Sequence, residues 1–576
     1  MSRAPAASPL RQGVKNRCAS PEPLEDEWPR NDVVAKSARV CQAFCEPATR
    51  VLWERLPSVF PLLKLLAPSF GRIKGGHKTN NEWGPDRKDA YALYDIPDAH
   101  QWARFCYYAE RVRVLVHHGS ANTDVPFHDS HAGYHPDIAI DQYRPDNASD
   151  DEADDFPCPT LILPSVWFYL KQLSGGRPLL PALRELEWMT SPFGTELFDL
   201  VSPSLQRIYV RLNPAYSHTN AEWSAHLPLF IRSIAALAPE LHRFEVGADH
   251  SNTLRAAMPE LYKMKHLRYL AVDASCSSGC DIDAQALSEA KLDTIKNLEY
   301  LRLGLEIGGD PLSALSPIAF HALRSLAVVD SYGNPKAYKL FNIPSLCSLD
   351  ATIRSPDTDT NGYRDILLAF TQQFPAISSL ALTLEGGRAT LIQVIEPLHL
   401  FPALRRLSLT VKEALATVSD AEVRVFLERV PYLSSLTIDF SPTMVRLMSM
   451  VPRAGALLHV AQFGSQLTEF LLSNLQLSEY ELDRALPQAA LIPPNTQLVV
   501  LAIGCVLHEG RSDAQSDLMK CAALVHRLFP NLDLRRCRAC PRKSDHWETA
   551  GAWDTVLIEV ERLRRAAATP MVVLRL

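Results

Sequence analysis

The sequence predicts an α/β fold, a solenoid with parallel strands along its concave face and helices along its convex face. Two observations predict it. A phrase with apolar residues at relative positions 0, 3 and 5 recurs about every 29 residues from Leu183 to Leu532. Between these phrases, apolar residues at i, i+3, i+4 and i+7 mark amphipathic helices, as in residues 423–430. A period of this size is typical of repeat arrays.

The repeated phrase defines which side chains face the core. Leu404-Arg-Arg-Leu407-Ser-Leu409 is a representative copy. Successive side chains of a strand point to opposite faces, so positions 3 and 5 point inward and positions 2, 4 and 6 point to the concave face. The copies begin at Leu183, Leu205, Leu241, Leu267, Leu298, Leu323, Leu346, Ile377, Leu404, Leu433, Leu467, Leu498 and, weakly, Leu532.

The concave face of the early repeats is predicted to bind a partner protein. It carries Tyr and Arg, which are enriched in binding hot spots, whereas the later repeats carry Ser, Thr and Ala there. The alternative is that these are solvated strand residues without a partner. The predicted recognition residues are Glu185, Glu187, Arg207, Tyr209, Arg211, Arg243, Glu245, Tyr269, Asp273, Tyr300 and Arg302.

The N-terminal region divides into two parts. Residues 1–30 are rich in Pro, Ser and charge, which predicts disorder. The segment from Asp32 to Phe44 predicts a helix, Pro47 predicts its interruption, and a second short helix is predicted around Leu52. Residues 31–66 are therefore expected to form a short, densely apolar helical segment in front of the array.

This segment resembles the second half of an F-box, a motif that reads Val-Cys-basic-x-aromatic, with Leu-Trp further on. The matching residues are Val40, Cys41, Phe44, Leu52 and Trp53. The continuation is similar to that of many fungal proteins that combine an F-box with leucine-rich repeats. The resemblance implies a substrate-recognition adaptor of an SCF-type ubiquitin ligase. In such a protein, residues 31–66 would bind a Skp-family adaptor linked to a cullin scaffold, and the solenoid would bind an unknown protein substrate.

Two features depart from these families. The opening F-box helix, Leu-Pro-x-Glu followed by Leu, has no full counterpart around Pro23-Leu24-Glu25. Position 8 of a leucine-rich repeat usually carries Asn or Cys, and here Asn213 alone keeps that rule. The alternative function is therefore a non-catalytic leucine-rich-repeat scaffold or regulatory protein that has lost ligase docking.

Composition predicts the remaining boundaries. Residues 67–105 predict a connecting loop and a capping helix that begins at Ala99. The leucine-rich-repeat-like solenoid is predicted over 106–540, with a mobile acidic insertion at about 119–157 whose core, residues 136–156, carries a net charge of −7. Residues 541–576 predict a C-terminal capping helix.

Composition and motifs exclude several function classes. The net charge of −6 comes largely from the acidic insertion, so neither a nucleic-acid nor a membrane partner is expected. The sequence has no Walker, dinucleotide-binding or Gly-x-Ser-x-Gly motif, and an enzyme or a cofactor is not expected. The histidines of residues 117–135 and the pair Cys537 and Cys540 lack a full zinc-ligand pattern, so no metal site is expected. The scattered cysteines predict reduced core thiols in a cytoplasmic or nuclear protein.

Overall fold

The computed structural model describes residues 42–77, 88–118, 161–190, 197–212, 220–247, 257–273, 287, 290–305, 317–330, 333–354, 360–385, 396–412, 418–440, 451–508, 514–539 and 550–568. These residues form two compact units, one ending at Leu183 and the other beginning at Arg184. No helix among them is long and apolar enough to cross a membrane. The predictions for residues 1–30, for most of the helix over 32–44 and for the acidic insertion lie outside the described residues.

The first unit combines short helices with two groups of strands. Its elements are α1 (Gln42–Glu54), β1 (Arg55–Leu56), α2 (Phe60–Lys64), β2 (Phe70–His77), β3 (Lys88–Leu93), α3 (Ala99–Ala109), β4 (Val114–His118), β5 (Leu161–Ile162) and α4 (Pro164–Leu173). Strand β1 pairs in parallel with β4, whereas β3 pairs with β2 in antiparallel and with β5 in parallel.

Helix α3 begins where the sequence predicts, at a capping box. Asp98 accepts a hydrogen bond from the Gln101 backbone N–H at 2.7 Å, and the Gln101 side chain accepts one from the Asp98 N–H at 2.8 Å. These bonds satisfy donors that a helix terminus leaves without an intrahelical partner.

Two predictions for the first unit are wrong. The helix break at Pro47 does not occur, since α1 continues through it. Proline has no backbone N–H, so the helix lacks one hydrogen bond at this position. The next residue, Ala48, is buried, and this packing against the rest of the unit stabilises the helix. The connecting loop predicted after residue 67 contains strands β2 and β3. Their pairing stacks Phe70 on Tyr91, with ring centroids 5.4 Å apart, a long-range contact that the Gly and Asn content of the segment does not reveal.

The second unit repeats strand, loop and helix. Its strands are β6 (Glu185–Thr190), β7 (Arg207–Leu212), β8 (Arg243–Gly247), β9 (Tyr269–Asp273), β10 (Tyr300–Leu305), β11 (Ile318–Ala319), β12 (Ser325–Asp330), β13 (Phe341–Asn342), β14 (Ser348–Arg354), β15 (Ser379–Glu385), β16 (Arg406–Lys412), β17 (Ser435–Phe440), β18 (Glu469–Leu477) and β19 (Val500–His508). Its α-helices are α5 (Leu197–Leu200), α6 (Asn220–Leu237), α7 (Thr360–Gln373), α8 (Asp420–Arg429), α9 (Ala454–Phe463), α10 (Glu479–Leu491), α11 (Ala514–Leu528), α12 (Leu534–Ala539) and α13 (Ala550–Ala568). Short 3-10 helices replace an α-helix at Leu292–Thr294, Ala337–Leu340 and Glu396–Leu400.

Equivalent positions of successive phrases lie side by side in one parallel sheet. Strands β6 to β10, β12 and β14 to β19 pair in chain order, and β11 pairs with β13 separately. Leu380 lies opposite Leu407, which lies opposite Leu436. Side chains of β15 alternate between buried and half-buried, so one sheet face forms the core and the other, the outward face, carries positions 2, 4 and 6. The predicted α/β solenoid is confirmed.

The end of the array differs from the prediction at its weakest phrase. No strand follows Leu532, and helix α12 begins there instead. Asp533 provides the reason, because its side chain accepts a hydrogen bond from the Arg535 N–H at 3.0 Å, which is how a helix N-cap acts. The predicted C-terminal helix is present as α13, and Trp553 and Val560 on its apolar face are fully buried.

A ladder of hydrogen bonds joins the start of each strand to the one before it. The carbonyl at position 1 of a phrase accepts two backbone N–H groups from the next phrase, repeatedly from residue 184 to residue 500. In later repeats a position-1 hydroxyl adds another bond to that carbonyl. Ser378 Oγ donates to the Cys347 oxygen at 3.1 Å, Ser434 Oγ to the Arg405 oxygen at 3.0 Å, and Thr468 Oγ1 to the Ser434 oxygen at 2.9 Å. These three donors, Ser378, Ser434 and Thr468, form what we call the hydroxyl ladder.

Candidate functional site

The candidate site is the outward face of strands β6 to β10. The register places position-2 residues side by side in row A, which comprises Glu185, Arg207, Arg243, Tyr269, Tyr300, Ser325, Ser348 and Ser379. Position-4 residues form row B, which comprises Glu187, Tyr209, Glu245, Ala271, Arg302, Ala327, Asp350 and Ala381. Neighbouring strands lie about 4.8 Å apart, so adjacent side chains within a row can make contact.

Three planar groups stack along row A on strands β8, β9 and β10. The rings of Tyr269 and Tyr300 are parallel within 1°, with their centroids 4.1 Å apart. The guanidinium of Arg243 lies over the other face of Tyr269, 4.2 Å from the ring centroid. Aromatic stacking and a cation over a ring face each contribute about 0.5–1.5 kcal/mol at such sites. The Arg243–Tyr269–Tyr300 stack therefore holds these three side chains in an ordered arrangement on the outward face.

Two ion pairs lie at the Arg243 end of the stack, on strands β6 to β8. Arg243 pairs with Glu245 at 2.6 Å, and these side chains are 27% and 18% exposed. Arg207 pairs with Glu185 at 3.2 Å, and both are about half exposed. Exposed pairs of this kind contribute little to stability, about 0–1 kcal/mol. Their principal effect here is to fix where charge lies on the face.

Both tyrosines are held in their neutral form. Burial raises the pKa of Tyr269 far above its usual range, and the neighbouring Tyr300 and Glu245 act in the same direction. Burial also raises the pKa of Tyr300, opposed by its hydrogen bond with Tyr269 and by the charge of Arg302. The carboxylates Asp350 and Glu245 raise it further. At neutral pH the stack therefore keeps hydroxyl groups that donate and accept hydrogen bonds.

Strands β12, β14 and β15 carry small side chains at position 2, and the same row continues to Arg406 of β16 and Glu469 of β18. Row A continues through three serines, and at position 6 Thr352, Thr383 and Thr410 lie side by side on β14, β15 and β16. Beyond them, Glu385 joins Arg354 at 2.9 Å and Lys412 at 3.3 Å across the same three strands. The aromatic and arginine side chains are thus concentrated on the early strands.

The remaining predicted recognition residues lie on the same face with different surroundings. Arg211 occupies position 6 of β7, opposite Gly247, which has no side chain. Asp273 lies in β9, although its side chain is outside the described part of the chain. Glu187 and Tyr209 are half-buried neighbours in row B.

The F-box-like residues are only partly described. Val40 and Cys41 lie outside the described residues, and Phe44 is described only as part of α1. Trp53 stacks on Tyr108 of α3, with ring centroids 4.3 Å apart, and so holds α1 against α3. Leu52 is half-buried.

An ion-pair network joins the same two helices at the surface. Glu46 of α1 accepts hydrogen bonds from the Tyr107 hydroxyl and from Arg111, each at 2.7 Å. These two hydrogen bonds lower the pKa of Glu46, and the one from Tyr107 has the larger effect. Val51, 60% exposed, is the apolar side chain that α1 leaves most open to a partner among its described residues.

Comparison with known proteins finds similarity to solved structures and not to family profiles or curated sequences. No family profile matches the chain, and no curated protein matches it. A solved leucine-rich-repeat protein of Leptospira interrogans matches 62% of this chain and 91% of its own, at 9% identity and a TM-score of 0.24. The strands and registers of this chain define its architecture. The fold is a leucine-rich-repeat-like α/β solenoid.

The predicted Ser, Thr and Ala character of the later repeats leaves out charged residues of the outward face, among them Asp350 and Arg406. Asp350 occupies position 4 of the phrase that begins at Leu346 and is exposed. Phrase numbering alone predicts this position for Asp350.

Cys537, weighed as a zinc ligand, is a buried thiol that accepts the Leu501 N–H at 3.4 Å. Among the described residues no group of three or more His, Cys, Asp and Glu side chains is placed to hold a metal ion.

Proposed function

We propose that this chain is a protein-recognition subunit that captures a target on the outward face of β6 to β10. The observation that carries this proposal is the Arg243–Tyr269–Tyr300 stack. It concentrates the residue types of binding hot spots on one pre-ordered surface, and pre-ordered side chains lose little entropy when a partner binds.

We further propose that the captured protein is a substrate of an SCF-type ubiquitin ligase. The F-box-like sequence supports this role, with residues 31–66 binding a Skp-family adaptor and through it a cullin scaffold. Within α1, Trp53 packs internally, which leaves Val51 and Leu52 as the described apolar side chains available to the adaptor. The chain would act by bringing two proteins together, without cofactor, metal or bond chemistry of its own, in the cytoplasm or nucleus. Neither nucleic acid nor membrane is a proposed partner.

The alternative is a leucine-rich-repeat scaffold that captures proteins without engaging a ligase. The sequence favours it at one point, because the opening F-box helix has no full counterpart around Pro23-Leu24-Glu25. Both functions share the same capture surface and differ only in the N-terminal docking step.

Retention of a purified Skp-family adaptor on the immobilised full chain tests that step. The intact chain is expected to retain it, and Leu52→Asp is expected to weaken retention at least about tenfold, since a charge in an apolar contact costs more than 1.4 kcal/mol. Leu491→Asp is the matched control, because Leu491 is 86% exposed on α10.

A chain with a complete F-box grafted at residue 38 serves as the positive control. If the graft retains the adaptor and the native chain does not, the ligase function is wrong for this chain and the scaffold function stands. Thermal unfolding of each variant identifies any loss that comes from misfolding.

A further inference from the structure

The stack on row A ends at Tyr300, and we call the side of Tyr300 that faces away from Tyr269 the open end of the stack. One face of Tyr300 lies on Tyr269, and in the described part of the chain no ring or guanidinium stacks on the other. The next residue of row A on that side is Ser325, followed by Ser348. Strands are spaced about 4.8 Å apart, close to the spacing of stacked planar groups. A planar group placed over Ser325 would therefore stack on Tyr300 and lengthen the stack by one member.

At the other end of the stack, on strand β8, a side chain of this protein covers the outer face of Tyr269. There the guanidinium of Arg243 covers Tyr269 and pairs with Glu245 of row B. At the open end, row B supplies Asp350, whose exposed carboxylate is close enough to act on the Tyr300 hydroxyl. Each end of the stack therefore has a tyrosine and a carboxylate, but Glu245 lies one strand from Tyr269 whereas Asp350 lies two strands from Tyr300. At the open end no guanidinium of the described residues covers the tyrosine.

We propose that the open end binds an arginine side chain of the partner protein, its guanidinium stacked on Tyr300 and hydrogen-bonded to Asp350. This inference rests on the proposed capture of a protein by this face. A guanidinium is planar, stacks on aromatic faces and pairs with carboxylates, whereas a lysine ammonium is a compact point charge that cannot stack and a neutral ring brings no charge to Asp350.

Arg302 is the charge that opposes a second guanidinium here. It lies in row B, with Ala327 between it and Asp350. Among the described side chains near the site, Arg243 and Arg302 are balanced by Glu245 and Asp350, so these four charges sum to zero. A carboxylate offers about four acceptor sites, which allows Asp350 to serve an incoming guanidinium beside its existing interactions.

Nuclear magnetic resonance of the full chain labelled at the tyrosine ring carbons tests the inference directly. The Tyr300 signal is assigned with Tyr300→Phe, and the probe is N-acetyl-arginine methylamide. Its binding is expected to shift the Tyr300 signal and leave that of Tyr432, which lies off this face, unchanged. The citrulline analogue, which keeps the shape and loses the charge, is expected to bind about two- to thirtyfold more weakly.

Two variants locate the binding. Ser325→Arg would place the chain's own guanidinium on Tyr300 and is expected to abolish the shift, whereas Ser325→Ala is expected to preserve it. Asp350→Asn is expected to weaken the arginine probe toward the level of the citrulline probe. The inference is overturned if the arginine probe causes no shift, if citrulline and arginine shift the signal equally, or if Ser325→Arg has no effect.

The probe titration separates this inference from the proposed function. If a partner protein binds Ser325→Arg as tightly as Ser325→Ala, the arginine site is wrong while capture by this face stands. If no protein is captured by the intact chain, the proposed function fails and the arginine titration still decides the site.

Discussion

The early strands β6 to β10 and the later strands β14 to β18 share one backbone register and use their side chains differently. On the early strands, Arg243, Tyr269 and Tyr300 stack on the outward face. On the later ones, Ser378, Ser434 and Thr468 turn back to bond the preceding strand. The same fold therefore supports two assignments of its exposed positions, one to recognition and one to attaching a repeat to its neighbour.

The sharpest test of this contrast is removal of the two tyrosines. Tyr269→Ala/Tyr300→Ala is expected to lower affinity for proteins recovered on the intact chain by about 3 kcal/mol, roughly a hundredfold, because hot-spot residues cost about 2 kcal/mol or more when truncated. Equilibrium binding of the recovered protein measures it. Tyr432→Ala/Tyr480→Ala, at side chains 63% and 74% exposed, is the matched control and is expected to bind normally. Equal losses in both pairs would remove the distinction.

Close packing of the last two strands gives the next largest effect. A Cβ added at Gly504 of β19 would lie 2.7 Å from the Ser473 backbone oxygen of β18. Since backbone cannot move aside cheaply, Gly504→Ala is expected to destabilise the chain by about 1–3 kcal/mol in urea unfolding. Gly551→Ala, where a Cβ meets nothing within 4 Å, is expected to stabilise helix α13 by up to about 1 kcal/mol. A neutral Gly504→Ala would show that β18 and β19 are loosely joined.

The hydroxyl ladder predicts a smaller and local effect. Ser434→Ala and Thr468→Ala each remove one hydrogen bond and are expected to cost about 0.5–1.5 kcal/mol, seen as faster hydrogen exchange in β17 and β18. Gln206→Ala, at the same position of an early repeat, is expected to change exchange little. Similar effects at all three sites would mean that position 1 has one role throughout the array.

The smallest expected difference between the early and later repeats is in how acid changes their stability. Protonation of Glu260 in the early part lowers stability, whereas protonation of Asp420 in the later part raises it. Hydrogen bonds from Arg232 and Lys263 lower the pKa of Glu260 from 4.5 to about 2. Its stabilising contribution is therefore present above about pH 4.5 and is lost as the pH falls toward about 2. Glu260→Gln is expected to flatten the fall in melting temperature over that range.

Asp420 of the later helix α8 behaves in the opposite way. Burial raises its pKa, so its ionisation costs stability above its unfolded-state pKa and acid relieves that cost. Asp420→Asn is expected to remove this relief, which makes the fall in melting temperature with acid steeper than in the unchanged chain. Parallel acid profiles for the Glu260 and Asp420 variants would contradict the contrast.

The fold could be predicted because its signal is local and repeated. Each phrase, such as Leu404-Arg-Arg-Leu407-Ser-Leu409, specifies a strand and an inward face, and thirteen copies average out single errors. The weak copy at Leu532 failed because Asp533 caps a helix, a local choice that apolar spacing does not register. Strands β2 and β3 were missed because their pairing depends on the contact of Phe70 with Tyr91, far apart in sequence.

The candidate site could be placed but not described from sequence. Phrase numbering put Tyr269 and Tyr300 on the outward face, and period two requires that. Their parallel stacking, and the guanidinium of Arg243 on Tyr269, depend on rotamers and on the zero offset between strands β8, β9 and β10. Which apolar side chains of α1 pack internally likewise could not be predicted, because the packing of Trp53 depends on its contact with Tyr108 of α3.

The ladder at position 1 has a consequence for how such a chain can change over generations. Distances between successive phrases range from 22 to 36 residues, yet the strands keep the same offset. Because each strand is attached to its predecessor by bonds at its own first residues, gain or loss of residues between phrases does not shift any row of side chains. Mutation can therefore lengthen or shorten a loop beside the Tyr269–Tyr300 pair, and so change the surroundings of the proposed capture surface, while the order of the side chains in each row is inherited unchanged.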